Sequence, residues 1–382
     1  MKFPIFLDNH STTPMDPEVL QAMLPYFSEK FGNASSRSHV YGWSAEIAVE
    51  TAREQIAAMI NAKPGDIFFT SGATESNNLA LQGSAQTNPK NKNHFITSAV
   101  EHASILQVIQ KLRENKSEIT ILPVNADGKI DLRQLEESIT PQTALMTFLA
   151  ANNEIGTINP LEFIGKIAKD HQVLFHVDAA QAFGKIPLDV KKMNIDFMSL
   201  TAHKIYGPKG VGALYVKDVS RIGPLFYGGQ HEKGLRPGTL NVPGIVGLGA
   251  AAGLCFKKME SEFQHIKLLR DDLQNSLIQN LGQISINGEI NNRLPNNLNI
   301  SFKGIEAGHL LENLRNIAIS LGSACSSGSS RPSHVLEALG LPQERIISSI
   351  RIGLGRFTTD EEIQFAKDEI IKSVLKLRNN KV

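Results

Sequence analysis

Short apolar strands that alternate with helix-length segments predict an α/β fold, a parallel sheet with helices on both faces, followed by a smaller α+β region. Three observations carry this. The runs Ile67-Phe68-Phe69, His94 to Thr97, Ala144 to Leu149 and Val173 to Val177 are each separated by enough chain for a helical crossover. A long helical stretch from Ala250 to Gln279, with Leu254, Met259, Phe263, Ile266, Leu269, Leu273 and Leu277 at helical spacing, divides this part from the C-terminal third. A chain of 382 residues, 41% hydrophobic and 20% charged, can bury one large core and a smaller companion.

In chain order, the N-terminal run Met1 to Asp8 is broken by Pro4 and closed by an acid, with no cleavage site and no Arg-rich presequence, so a cytoplasmic start is expected. Ala45 to Asn61 places Ile47, Ala48, Thr51, Ala52, Ile56, Met59 and Ile60 at helical spacing, and Lys63-Pro64-Gly65-Asp66 stops it. Four strand–helix alternations follow, and a fifth strand runs from Asp196 towards Leu200. The uncharged run between Arg236 and Lys257 is long enough to span a bilayer. Its two prolines and five glycines instead predict a loop, then a tightly packed buried helix in which Gly249 and Gly253 allow close helix contact. Beyond the long helix come a strand at Asn297 to Phe302 and helices near 305–316, 332–338 and 359–377.

Charge excludes several partners. With 39 basic and 38 acidic residues the net charge is +1, so neither nucleic acid nor a membrane surface is expected to bind. The two cysteines, Cys255 and Cys325, cannot form a disulfide framework or a four-ligand zinc site, which points to a reducing compartment. Cys255 sits in the apolar context Ala252 to Phe256 and reads as core filling. Cys325 lies in Ser320 to Ser330, where Ser and Gly fill eight of eleven positions, and such a stretch should be a mobile polar loop. An exposed thiol there is a liability unless it is used.

Three elements suggest a cofactor site. Thr70-Ser71-Gly72-Ala73-Thr74-Glu75-Ser76 turns a strand into a helix, where backbone N–H groups and hydroxyls can receive a phosphate. A Ser/Thr helix cap would look the same, and neither a Walker loop nor a dinucleotide fingerprint is present. Asp178 ends one strand and Lys204 follows the next, at the edge where parallel sheets bind ligands. A phosphate cup, an acid and a lysine are what pyridoxal phosphate (PLP) needs; a structural Asp–Lys pair is the alternative.

With these residues in place, the chain resembles the cysteine desulfurases, PLP enzymes of the class V aminotransferase superfamily. Ordered matches run from Phe31 to His39, Thr70 to Asn77, Val100 to Ser104, Asn152 to Gly156, His176 to Gln181, Ala202-His203-Lys204, Arg236-Pro237-Gly238-Thr239, Gly322 to Cys325, and Ile350-Arg351 with Leu354 to Phe357. The resemblance implies the fold type I, aspartate-aminotransferase-like architecture. A large PLP-binding domain, 16–254, would carry a mainly parallel seven-stranded sheet. Residues 1–15 and 255–382 would form a smaller α+β domain bearing the active-cysteine loop.

The resemblance also assigns roles. Lys204 would bind the cofactor covalently, His102 would stack on its ring, and Asp178 would hold the pyridine nitrogen protonated. Gln181 and Asn153 would hydrogen-bond the ring oxygen and the substrate side. Ala73, Thr74, Thr201 and His203 would hold the phosphate, with Thr239 reaching in from the second subunit of a homodimer. Arg351 would clamp the substrate carboxylate and Cys325 would take the sulfur of L-cysteine, leaving L-alanine. The sulfur would then pass to an acceptor such as an iron–sulfur scaffold. No resident metal is expected among the eleven histidines; Cys325 would touch iron only during delivery.

Two departures stand out. Leu321 occupies a place where the family more often has a small polar residue, and the chain stops at Val382 without the tail that housekeeping members use for scaffold docking. The span from Gly322 to Pro332 favours the branch with an extended cysteine loop. A transaminase or β-lyase of the same fold, and a selenocysteine-directed variant, are the competing readings.

Overall fold

The computed structural model describes residues 2–89, 91–321 and 332–379. Its elements are β1 (Ile5–Phe6), α1 (Pro17–Met23), α2 (Pro25–Ser28), α3 (Val40–Met59), β2 (Ile67–Thr70), α4 (Ala73–Thr87), β3 (His94–Ser98), α5 (Ala103–Glu114), β4 (Glu118–Leu122) and α6 (Leu132–Glu137). There follow β5 (Thr143–Leu149), α7 (Leu161–Asp170), β6 (Leu174–Asp178), β7 (Phe197–Thr201), β8 (Gly212–Val216) and α8 (Val242–Asn280). The last third holds β9 (Ile284–Ile286), β10 (Asn297–Phe302), α9 (Ala307–Asn313), β11 (Ile317–Ala318), β12 (Ser320–Leu321), α10 (His334–Ala338), α11 (Gln343–Ile347), β13 (Ser349–Gly353) and α12 (Asp360–Asn379).

The apolar runs form a seven-stranded sheet in the order β2-β8-β7-β6-β5-β3-β4. The pairs β4–β3, β3–β5, β5–β6 and β6–β7 are parallel, while β8 is antiparallel to both β7 and β2. This is the mainly parallel seven-stranded sheet of the expected fold. Every residue of β5, β7 and β8 is buried, as a strand covered on both faces requires. Because β2 is antiparallel to β8, it runs with the rest, and the carboxyl ends of β2, β3, β5, β6 and β7 share one edge. On one face Phe68, Phe95, Leu145 and Phe197 pack with Leu79 of α4 and Ile105 of α5; on the other, Met146, Phe148 and Phe175 pack with Ile56 of α3 and Leu248 of α8.

A separate core gathers Ile5 and Leu7 with Leu298, Ile300, Ile350, Ile352 and Ile363 around the antiparallel sheet β12-β13-β10-β9. Helix α8 serves both cores: Ile245, Leu248 and Cys255 lie in the first, Ile266, Leu273 and Leu277 in the second. It passes unbroken through residue 255 and starts earlier than its glycines suggest, because Pro243 is tolerated in a first turn and Asn241 caps it by accepting from Gly244 N. It is the one described helix long and apolar enough to cross a membrane, and half of its most apolar window is buried inside the protein.

The glycines of α8 have a packing cause. A Cβ at Gly249 would stand 2.6 Å from Ala52 Cα of α3. Gly249→Val is therefore expected to force the two helices apart and lower stability by roughly 1–3 kcal/mol despite valine's better helix propensity, a loss measurable by urea unfolding with unchanged m-value.

Candidate active site

At the shared sheet edge the strand ends surround a cavity of about 430 Å³. Its first wall is the β2–α4 turn. Gly72, the N-cap of α4, has φ of 151°, a conformation that favours glycine, and no side chain caps the helix. The neighbouring hydroxyls are used elsewhere: Thr70 Oγ1 and Ser76 Oγ are 2.8 Å apart, and Ser71 N donates to Glu75 Oε2 at 2.8 Å. The cap alternative is thereby removed, and Ala73 and Thr74 line the cavity with the uncapped first turn of a fifteen-residue helix. Arg236 Nε pairs with Glu75 Oε1 at 2.9 Å; burial pushes the Glu75 carboxyl up, but the bonds from Arg236 and Ser71 more than offset this and hold it below its ordinary value.

A polar chain crosses the next wall. Asp178, only 2% exposed at the end of β6, accepts Ala180 N at Oδ1 (2.9 Å) and Asn77 Nδ2 at Oδ2 (2.7 Å). Asn77 Nδ2 also donates to Ser104 Oγ at 2.8 Å, which leaves that hydroxyl to donate to His102 Nδ1 at 2.8 Å. Ser104 N donates to the same nitrogen at 3.1 Å, so the His102 proton belongs on Nε2. Asn77 and Ser104 stand in the matched motifs, yet their linking role was invisible without the fold.

After β7 a single 3-10 turn, Ala202–Lys204, delivers Lys204. Its Nζ donates to the carbonyls of His10 and Ser11, the latter at 2.6 Å. Gln181 Nε2 donates to the same His10 carbonyl at 2.9 Å, while His10 Nδ1 donates to Gln181 Oε1 (3.1 Å) and its Nε2 accepts from Asn297 Nδ2 of β10 (3.1 Å). Burial and then the charges of Lys185 and Arg351 hold His10 neutral. The polar run Asp8 to Thr13, immediately after an apolar stretch, was the only sequence signal for this contribution. Thr201 and His203 complete the wall; His203 bonds Thr12 Oγ1 at 3.2 Å, and burial, then Lys204, lower its ring to about 4.

Arg351 is 1% exposed and reaches the cavity from β13. Its Nη1 donates to Asn153 O at 3.1 Å and its Nη2 to Asp8 Oδ1 at 2.9 Å. Asn153 also lines the cavity. Thr239 is exposed and is not among the lining residues, and Cys325 lies outside the described residues.

Two buried carboxyls flank the site. Burial raises Glu101 to about 8 and Glu154 to about 7. Glu101 Oε1 accepts from Ser98 Oγ at 2.6 Å, and its Oε2 has no hydrogen-bond partner among the described residues. Since the folded state holds this proton well above the ordinary 4.5, the stability it contributes at low pH is lost as pH rises towards 8. Glu101→Gln should therefore stabilise the protein more at about pH 8.5 than at about pH 5.5, by on the order of 2 kcal/mol, in paired thermal melts.

Known proteins resemble this chain over nearly its whole length. The family "Aminotransferase class-V" matches residues 5–365. A cysteine desulfurase IscS of Rickettsia felis is 48% identical over 377 residues, covering 98% of this chain and 92% of that protein. One from Rickettsia typhi is 48% identical over 380 residues, 99% of this chain and 93% of that protein. Among solved structures, a NifS-like protein has a TM-score of 0.90 at 37% identity, over 97% of this chain and 98% of that one. SspA, solved in complex with cysteine, has a TM-score of 0.83 at 39% identity, over 93% of this chain and 100% of that one. A chain with this sheet, this cavity and full-length relatives of this kind belongs to the class-V aminotransferases and, within them, to the cysteine desulfurases.

Proposed function

We propose that the protein is a PLP-dependent enzyme that removes sulfur from L-cysteine, releases L-alanine and carries the sulfur as a persulfide on Cys325. The observation that carries this reading is the meeting, in one cavity, of the Lys204 amine, the doubly bonded Asp178 carboxylate and the uncapped start of α4. That donor set fits the cofactor. The α4 N–H groups at Ala73 and Thr74, with Thr201 and His203, suit a phosphate dianion; Asp178 suits a protonated ring nitrogen; Lys204 suits covalent attachment. When bound, PLP supplies an electron sink for charge developing at the substrate α-carbon.

The chain's own residues do the rest. Arg351 binds the substrate carboxylate while Asp8 and the Asn153 carbonyl fix its guanidinium plane. The Lys204 amine would move the proton at the substrate α-carbon. Gln181, locked to His10, and Asn153 would hold the cofactor's ring oxygen and the substrate side. His102, whose Nδ1 is held by Ser104, would help hold the cofactor and would exchange a proton at Nε2. The Cys325 thiolate attacks the substrate sulfur, forming an S–S bond as the carbon–sulfur bond breaks, and the carbon takes a proton to become the alanine methyl.

Several features support a homodimer. Leu24, Phe27, Phe31, Val40, Trp43 and Ile47 on α1 to α3 and their connections are exposed, an apolar surface that suits a second subunit and would let the exposed Thr239 serve its partner's phosphate. Persulfide chemistry on a thiol needs a reducing compartment, so we place the enzyme in the cytoplasm with a sulfur-acceptor protein, such as an iron–sulfur scaffold, as its client. Incubation of the PLP-loaded protein with L-cysteine should yield alanine and sulfide in equal amounts under a reductant. Pyruvate in place of alanine would replace this function by a β-lyase.

A further inference from the structure

A second amine stands behind Lys204. Lys185 is half-buried as a residue but its ammonium end is enclosed, and its Nζ donates to Gln181 Oε1 at 3.1 Å. That oxygen also receives His10 Nδ1, and the Gln181 amide nitrogen shares the His10 carbonyl with Lys204 Nζ. One glutamine therefore ties the two lysines together. They also line the same small void, of about 20 Å³, against Cys255, Met259 and Glu262 of α8. A space of that size admits about one water.

An enclosed lysine that served only structure would be expected to meet a carboxylate. Among the described residues Lys185 forms no ion pair, and Glu262 is taken by Arg356 at 2.6 Å. Cys255 of α8 faces Lys185, and both amines act on His10 of the N-terminal segment and on His203 after β7, which also feel Arg351 of β13 and Lys209 respectively. Burial keeps both histidines neutral and pushes the Cys255 thiol up to about 11, so neither histidine nor this thiol offsets the charge of Lys185. Burial first, then the field of Lys204, lowers Lys185 itself to about 7; the repulsion is mutual, so Lys185 holds its charge most readily when the Lys204 nitrogen is neutral.

On the reading of Lys204 as the cofactor-binding lysine, we propose that Lys185 is a positioning residue for it, holding Gln181 in place and setting a positive charge behind the Lys204 nitrogen so that its neutral form is favoured. Two like charges enclosed together disfavour the second, which is how a buried lysine becomes a usable nucleophile and base.

The test is the pH titration of the visible absorbance band of the PLP-loaded protein without substrate. In Lys185→Met the midpoint should rise by about one pH unit, while Lys185→Arg, which keeps the charge, should stay near the wild-type value. A purely structural lysine would alter the melting temperature and leave the midpoint where it was. If Lys185→Met does not fold, Lys185→Gln removes the same charge with a polar side chain and carries the same expectation. Identical midpoints in the wild type and a folded neutral variant would overturn the proposal alone. A wild-type protein that takes up PLP without any such band would overturn the reading of Lys204 and the proposal with it.

Discussion

Lys204→Ala is expected to abolish the absorbance band of the lysine-bound cofactor and to lower alanine formation by roughly 10⁴-fold or more. The reason is that in the proposed function one nitrogen has two jobs, attachment and proton transfer, in a wall with few substitutes. Its neighbours are the carbonyls of His10 and Ser11, which can only accept, and His203, which burial keeps neutral. Lys209 also borders the cavity but emerges from a different turn, beyond Gly207 and Pro208. Absorbance and alanine assays on the purified variant check both effects. Retention of the band at wild-type intensity would remove Lys204 from its role.

Cys325→Ala is expected to do the opposite to the spectrum and the same to the product: the band stays, while alanine and sulfide fall by roughly 10³-fold or more because nothing receives the sulfur. Cys255 cannot stand in. Its thiol is buried within the first core, is pushed up to about 11 by burial, and contacts Arg356 Nη2 at 3.5 Å. A thiol held protonated is a poor nucleophile, so Cys255→Ala should leave persulfide formation in place. Mass spectrometry of the intact chain after brief exposure to L-cysteine distinguishes the two: the mass increase of one sulfur should vanish in Cys325→Ala and persist in Cys255→Ala.

The parallel strands were legible because a strand buried on both faces reads as a continuous apolar run, as in Thr143–Leu149 and Leu174–Asp178. Strand β8 was not, since Gly212–Val216 follows β7 with no intervening α-helix and so breaks the alternation that flagged the others. Strand β4 was missed for another reason: at the sheet edge its residues are largely exposed or half-buried, and Glu118-Ile119-Thr120-Ile121-Leu122 lacks an apolar run. In the site, the acid, the lysine and the small-residue turn could be found from strand ends. The links Asn77–Ser104–His102 and His10–Gln181–Lys185 could not, because hydrogen bonds such as Asn77–Ser104 and His10–Gln181, between groups 27 and 171 residues apart, leave no periodic trace. The N-terminal polar run was visible as composition and silent as chemistry until its carbonyls met Lys204.

That N-terminal run sets an order of assembly. Residues 7–10 leave the ribosome early, yet their partners are made late: Leu7 N bonds Ala318 O, Asn9 N bonds Gly353 O, and the His10 ring accepts from Asn297. Asn9 Nδ2 and the Gly353 carbonyl are separated by 344 positions. At about 5–20 residues per second of synthesis, the carbonyls that steady Lys204 wait tens of seconds for the strands that fix them. The surroundings of Lys204 are therefore complete only when β10 and β13, which hold residues 9 and 10, have been made.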